Sequence, residues 1–219
     1  MKTPMVHPFQ YLSLVRYKGL KYILKNYDSY KISIILDLED SVQDLFSKKL
    51  TNELKKIGRK GLIYLAEKKI KIKNKIFVRI NGIDTSDHKK DLEVLKLVEN
   101  QGLLIEGIFL PKVEKFEEVK KVYDNFSNTN KRIKIVPIIE SKIGVKNLEN
   151  ILKKDKNNII SHVHYGHFDY CLDANIWPFP EPYHQEYWKS VGDIIKISNK
   201  YNKYFIQTPF PLIKNYSLF

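Results

Sequence analysis

The stretch ILDLEDSV, residues 35–42, decides how this chain is read. An apolar run of strand character ends in three acids within four residues: Asp37, Glu39 and Asp40. Alternate residues of a strand share a face, so Asp37 and Glu39 point the same way and Asp40 opens the following loop. Such an end is either a solvated strand terminus or the rim of a site for a metal or a cationic substrate.

The pattern recurs along the chain. Apolar runs of strand character lie at 9–15, 32–38, 75–80, 106–111, 133–139, 159–165 and 203–210. Between them, apolar residues return at three- and four-residue steps, as in YKGLKYILKNY and GVKNLENILKK, which marks amphipathic helices. Strands apolar on both faces, separated by helices, predict a parallel sheet covered by helices. Two architectures satisfy this: a doubly wound open sheet and a (β/α) barrel. An open sheet gathers its site at one switch point and usually carries a Gly-rich phosphate loop, and no GxGxxG is present. Here the polar residues sit at the C-terminal tips of many strands: Asp37, Glu39 and Asp40; Arg79, Asn81 and Asp84; Lys112 and Glu114; Glu140 and Ser141; His167 and Asp169; Gln207 and Thr208. In a barrel all such tips converge on one mouth. The expectation is a TIM (β/α)8-type barrel forming a single domain over residues 1–219. Seven strand signals are found where a closed barrel needs eight: either the barrel is incomplete or closed by a partner chain, or one strand gives no signal, or the chain is a truncated relative lacking the eighth strand and the C-terminal segment.

Composition narrows the rest. The 219 residues are 43% hydrophobic and 29% charged, enough for a core and unlike a disordered chain. No apolar run approaches the ~18 residues of a membrane span, so no membrane association is expected. Pro and His interrupt the N-terminal MKTPMVHPFQ, which argues against a secretory signal. One cysteine, Cys171, fits a reducing compartment, and a cytoplasmic location is expected. The net charge of +13 comes from lysines mixed with acids at helical spacing, as on a solvated helix face; no nucleic-acid-binding motif accompanies it.

The strand tips supply the chemistry. Glu140 and Asp169 follow consecutive strands, so their carboxylates can share one coordination sphere. Two carboxylates completed by water and substrate oxygens suit Mg2+. The histidines of HVHYGH offer no third partner at zinc spacing. Arg79, inside an apolar strand, requires a partner. It either pairs structurally with Asp37 or Glu39 or grips a substrate carboxylate or enolate oxygen, and both can hold at once. Lys112 in LPKVE is either an ion-pair partner of the acids or a Schiff-base nucleophile.

Six blocks together resemble the citrate lyase beta subunit and HpcH/HpaI aldolase family: ILDLEDSV, FVRINGIDT, GIFLPKVE, IVPIIESKIGVKN, YGHFDY and IQTPFP, in order over about residues 31–211. The resemblance implies a TIM barrel that makes or breaks C–C bonds beside a carbonyl with Mg2+ as cofactor. It implies Glu140 and Asp169 as metal ligands, and Arg79, Glu39 and Asp40 as catalytic residues. Arg79, Asp37, Asn81 and Lys112 would bind substrate, a small oxo acid or an acyl-CoA thioester, with coenzyme A entering as part of the substrate. A homo-oligomer is expected. The first strand, YLSLVRYKG, lacks the family's Pro-Gly turn and has only Arg16 nearby. The aromatic insert at 171–188 reads either as a lid or subunit contact or as a packed surface loop. A catalytically silent barrel serving as a subunit or binding module is the alternative.

Overall fold

A computed structural model describes residues 7–126, 133–176 and 185–208. In chain order the elements are β1 (Phe9–Ser13), α1 (Tyr17–Tyr27), β2 (Ser33–Asp37), α2 (Lys48–Glu67), β3 (Lys75–Arg79), α3 (Ser86–Asn100), β4 (Gly107–Leu110), α4 (Phe116–Asp124), β5 (Lys134–Ile139), α5 (Lys142–Lys154), β6 (His162–Tyr165), α6 (His167–Asp173), α7 (Gln185–Lys200) and β7 (Tyr204–Ile206). A single 3-10 turn, Asp40–Val42, separates β2 from α2. The expected alternation of parallel strands and helices is therefore present. The chain forms two compact units, Met1–Phe109 with Asn125–Ile133, and Leu110–Asp124 with Lys134–Phe219.

In the first unit β1, β2, β3 and β4 pair in parallel and in sequence order, with Asp37 opposite Arg79 and Arg79 opposite Phe109. Every residue of β2 is buried, as its two-faced apolar pattern predicts. Ile34, Ile35 and Leu36 are wholly inaccessible, and each such side chain contributes roughly 1.5–3 kcal/mol of hydrophobic stabilisation. Phe9, Phe77 and Phe109 meet edge-on with centroids 5.4–6.0 Å apart. Helix α2 packs on α1 and α3. It starts where the Ser47 hydroxyl accepts the Leu50 N–H. Gly61 on α2 lies so near β1 that a Cβ there would stand 3.0 Å from the Leu14 carbonyl oxygen, which brings the helix close to the sheet.

In the second unit β5, β6 and β7 pair in parallel, with Ile139 opposite Tyr165 and His164 opposite Ile206. Helix α5 packs on α4 and α7, and is capped by Ser141, which accepts the Gly144 N–H. Strand β6 begins later than the sequence pattern suggests. The Asp155 carboxylate takes the N–H groups of Ile159 and Ile160, so these residues make only an isolated bridge to β5 through Ile160 and Ile135. The segment after Gly166 is the helix α6. The aromatic insert is described only at its two ends, and an eighth strand would fall beyond residue 208, outside the described residues. Among the described residues no helix is long and apolar enough to cross a membrane.

Candidate functional site

Two groups of strand-end side chains are assembled, one in each unit. In the first unit, β2 and β3 end side by side and their last residues face each other. Arg79 donates from Nε and Nη2 to the two oxygens of Asp37, at 2.7 and 2.6 Å, a bidentate fork. Its Nη1 lies 3.0 Å from Glu39 Oε2 and 2.9 Å from Asp40 Oδ2. The guanidinium carbon stands 4.8 Å from the Tyr11 ring centroid, so β1 supplies an aromatic face beneath the charge. Asp37 is 1% exposed and also accepts the N–H groups of Glu39 and Ser41. Burial alone would raise its carboxyl; the Arg79 fork and the two amides outweigh burial and hold it below the ordinary carboxylate value. Glu39 goes the other way. Burial exceeds the pull of Arg79 and, with the acids Asp40 and Asp37 beside it, pushes Glu39 up to about 8. One cation thus stands among three carboxyl groups, of which Asp37 is ionised and Glu39 retains a proton near neutrality.

Asn81, placed by sequence with this group, is engaged behind it. Its amide nitrogen donates to the Leu38 carbonyl and to Asp91 Oδ2, and its amide oxygen accepts from Lys55 Nζ. Arg59 joins the same network through Asp91 at 2.9 Å and Asp87 at 3.0 Å. Lys55, Arg59 and Asp91 were not singled out from the sequence. The signal was present as matched i, i+4 pairs, Lys55 with Arg59 on α2 and Asp87 with Asp91 on α3, which place two cations and two acids on helix faces. Tyr11 gave no signal, because an aromatic in a strand reads as core.

In the second unit Glu140 follows β5 directly and is buried. Its Oε1 accepts the backbone N–H of Lys112 at 2.8 Å. Lys112 reaches that position through a left-handed backbone, φ 56°, and its own side chain is exposed. An exposed amine lacks the desolvation that makes a Schiff-base lysine nucleophilic. On the neighbouring strand Gly166 follows Tyr165, and a Cβ at that position would sit 2.5 Å from Glu140 Oε2. Only glycine leaves room there for the carboxylate. Asp169 lies three residues further on, in the first turn of α6, partly exposed. Beside it, His167 is buried and desolvation lowers its imidazole to about 4, so it is neutral at physiological pH. Glu114 Oε1 accepts from the Ser141 hydroxyl, and Asp173 accepts the Lys142 N–H. Cys171 is buried, and burial raises its thiol, so it is no nucleophile.

A family model for HpcH/HpaI aldolase/citrate lyase matches residues 22–201. The chain belongs to the HpcH/HpaI aldolase/citrate lyase family. Among curated proteins the sequence has no match. Solved structures of the same fold include RipC from Yersinia pestis, 18% identical with a TM-score of 0.68, covering 97% of this chain and 80% of that one. Another is CitE from Mycobacterium tuberculosis in complex with magnesium, acetoacetate and coenzyme A, 18% identical with a TM-score of 0.71, covering 95% and 68%. A third is the citrate lyase beta subunit from the same organism with oxaloacetate and magnesium, 16% identical with a TM-score of 0.67, covering 95% and 80%. At these identities the likeness establishes the fold alone. Within the HpcH/HpaI family, the strand-end acids and Arg79 of this chain stand in the segments ILDLEDSV, FVRINGIDT, IVPIIESKIGVKN and YGHFDY.

Glu140 and Asp169 offer carboxylate oxygens, the donor type that a hard cation takes. Among the described residues no three His, Cys, Asp or Glu side chains gather as a ligand cluster. Mg2+ needs no such cluster, since it keeps several waters and takes one or two carboxylates. Glu140, buried and fixed at one oxygen, and Asp169, half open to water, suit that mode.

Proposed function

We propose that this HpcH/HpaI family member is a Mg2+-dependent carbon–carbon lyase or aldolase acting on a small oxo acid or an acyl-CoA thioester. The observation that carries the reading is the Glu140 carboxylate, buried at a strand end, pinned by the Lys112 amide and packed on the glycine that leads to Asp169. Glu140 and Asp169 would hold the ion, which when bound supplies a Lewis acid for an oxygen that gains negative charge. The rest of the work falls to the chain. Arg79, oriented by Asp37 and Tyr11, would turn Nη1 from Glu39 and Asp40 to a substrate carboxylate or carbonyl oxygen and stabilise charge developing there. Glu39, protonated near neutrality, would give its proton to the enolate carbon left by C–C cleavage and take it back from that carbon in the reverse direction, with Asp40 lining the pocket beside it. Asp37 keeps Arg79 charged and aimed. Lys112 would add a surface cation for an anionic substrate.

The family, and the magnesium, oxo acids and coenzyme A in the similar complexes, support this chemistry. We propose further that the strands belong to a TIM (β/α)8-type barrel forming one domain, in a cytoplasmic homo-oligomer with no nucleic-acid or membrane partner. In such a barrel C-terminal strand ends face one mouth, and the residues named here stand at C-terminal strand ends.

The test is calorimetric titration with Mg2+, followed by cleavage assays on oxaloacetate and malyl-CoA. Binding and cleavage, both lost in Glu140→Ala and Asp169→Ala, are expected. No binding at millimolar Mg2+ would refute the reading. One observation favours a silent binding module instead: every nitrogen of Arg79 already has a partner within the chain. Mg2+ and oxo-acid binding without turnover would select that alternative.

A further inference from the structure

The backbone at Glu39 belongs to neither helix nor strand, with φ −108° and ψ −101°. The 3-10 turn that follows gives its carbonyl one long bond, from the Val42 N–H at 3.4 Å, and polar backbone groups removed from water need partners. The N–H goes to Asp37 Oδ1 at 3.0 Å. Besides that bond the carbonyl accepts a shorter one from Lys55 Nζ at 3.1 Å, and the same amine reaches the Leu38 carbonyl at 3.4 Å and Asn81 Oδ1. Lys55 projects from α2 and is only 7% exposed. All three of its acceptors are neutral oxygens. The other lysine buried among the described residues, Lys203, differs: it donates to the Asp155 carboxylate, to Asn158 and to the Ile160 carbonyl, and serves as an ion-pair partner at the start of β7. A lysine aimed at backbone carbonyls does not neutralise an acid. It fixes the course of a chain segment. The far end of the contact is rigid as well, because Asn81 is held by Asp91, and Asp91 by Arg59.

We propose that Lys55 is the positioning residue for Glu39: by tying the Leu38 and Glu39 carbonyls to Asn81, it holds the turn that keeps the Glu39 carboxyl against Arg79. The inference rests on the reading of Glu39 as a pocket residue. It assigns Lys55 a role through Glu39, without contact to substrate. The groups that face Glu39 within this unit are Arg79 from β3, Asp37 from β2, Asp40 from the turn and, beneath the guanidinium, Tyr11 from β1.

The sign of one measurement separates positioning from simple charge. Glutamate side-chain carbons are followed by NMR in the whole protein from pH 5 to 10, without metal or substrate, and the Glu39 signal is assigned from its loss in Glu39→Gln. Removing a nearby positive charge, with geometry kept, would raise the Glu39 midpoint. Releasing the turn lets the carboxyl reach water and lowers it. Lys55→Gln is expected to lower the midpoint by about one pH unit or more. Lys203→Gln, the matched loss of a buried lysine, is expected to destabilise the protein and leave that midpoint in place. Should Lys55→Gln not fold, Lys55→Arg keeps a cation with a different donor geometry and is expected to lower the midpoint as well. A midpoint that stays or rises in the folded Lys55 variants overturns the proposal. Because neither metal nor substrate is present, the lyase reading can fail while this result stands, and the reverse.

Discussion

Replacing Arg79 by methionine isolates the energetics of the acidic turn. The substitution keeps an apolar stem over Tyr11 and removes both arms of the fork on Asp37, which is 1% exposed. Truncating one partner of a buried pair generally costs about 3–5 kcal/mol, because the other charge stays behind. Asp37 has an escape: it can take up a proton. Neutralising a carboxyl of ordinary value 3.8 costs about 1.4 kcal/mol for each pH unit above that value, so the ceiling is about 4 kcal/mol at pH 7 and about 2 kcal/mol at pH 5. In the wild type Asp37 sits below 3.8, so its contribution is complete at both pH values and is lost only in stronger acid. The loss in Arg79→Met is therefore expected to be about 3–4 kcal/mol at pH 7 and about half that at pH 5, read by urea unfolding. Adding Asp37→Asn removes the stranded charge while retaining an acceptor for the Glu39 and Ser41 amides. The double variant is expected to recover about 1–2 kcal/mol at pH 7. A loss under about 1 kcal/mol at pH 7, or equal losses at the two pH values, would refute the picture of a buried carboxylate held ionised by Arg79.

Three further outcomes are expected. Glu140→Gln and Asp169→Asn should each weaken Mg2+ binding at least about 10-fold by calorimetry, since each replaces a charged hard ligand by a neutral amide; retention of full affinity in both would remove them as ligands. Gly166→Ala should cost about 1–3 kcal/mol in denaturant unfolding and also weaken Mg2+ binding, because its methyl would stand 2.5 Å from Glu140 Oε2; a silent substitution would show that the strand ends are not this close. Glu39, at about 8 in the folded chain against 4.5 ordinarily, binds more proton folded than unfolded, so its contribution is full below about 4.5 and is lost as pH rises through 8. Wild-type stability should fall between pH 5 and 8.5, by on the order of 2 kcal/mol after allowing for partial exposure, and Glu39→Gln should flatten that slope.

Much of this was legible in the sequence because the signals were local. The buried centre of β2 shows as the apolar Ile34–Leu36, and Asp37 ends the strand where the alternation puts it, while Glu39 and Asp40 lie beyond it in the turn. Arg79 in an apolar strand announced a partner, and the partner is Asp37, directly opposite in register. What stayed hidden depends on contacts distant along the chain. Asn81 looked like a strand-end ligand, yet its amide is taken by Lys55 and Asp91, residues 26 and 10 positions away. The helix α6 was hidden because its seven residues offer less than two full turns of periodicity, and the preceding Gly166 suggested a loop. The early end of the β6 ladder depends on one carboxylate, Asp155, capturing two amides, a choice no propensity encodes.

The contact between Glu140 and Lys112 is made by a main-chain amide, aimed by a left-handed turn. The carboxylate is therefore indifferent to the side chain at position 112. Drift at that position can change the charge and reach of the surface lysine, and under the proposed function the preference among anionic substrates with it, while Glu140 stays fixed. Two kinds of residue break this independence: proline, which has no amide hydrogen to give, and β-branched residues, which resist the turn. Under the proposed function, specificity and metal binding would meet at one residue without being tied together, and selection could tune the first while leaving the second alone.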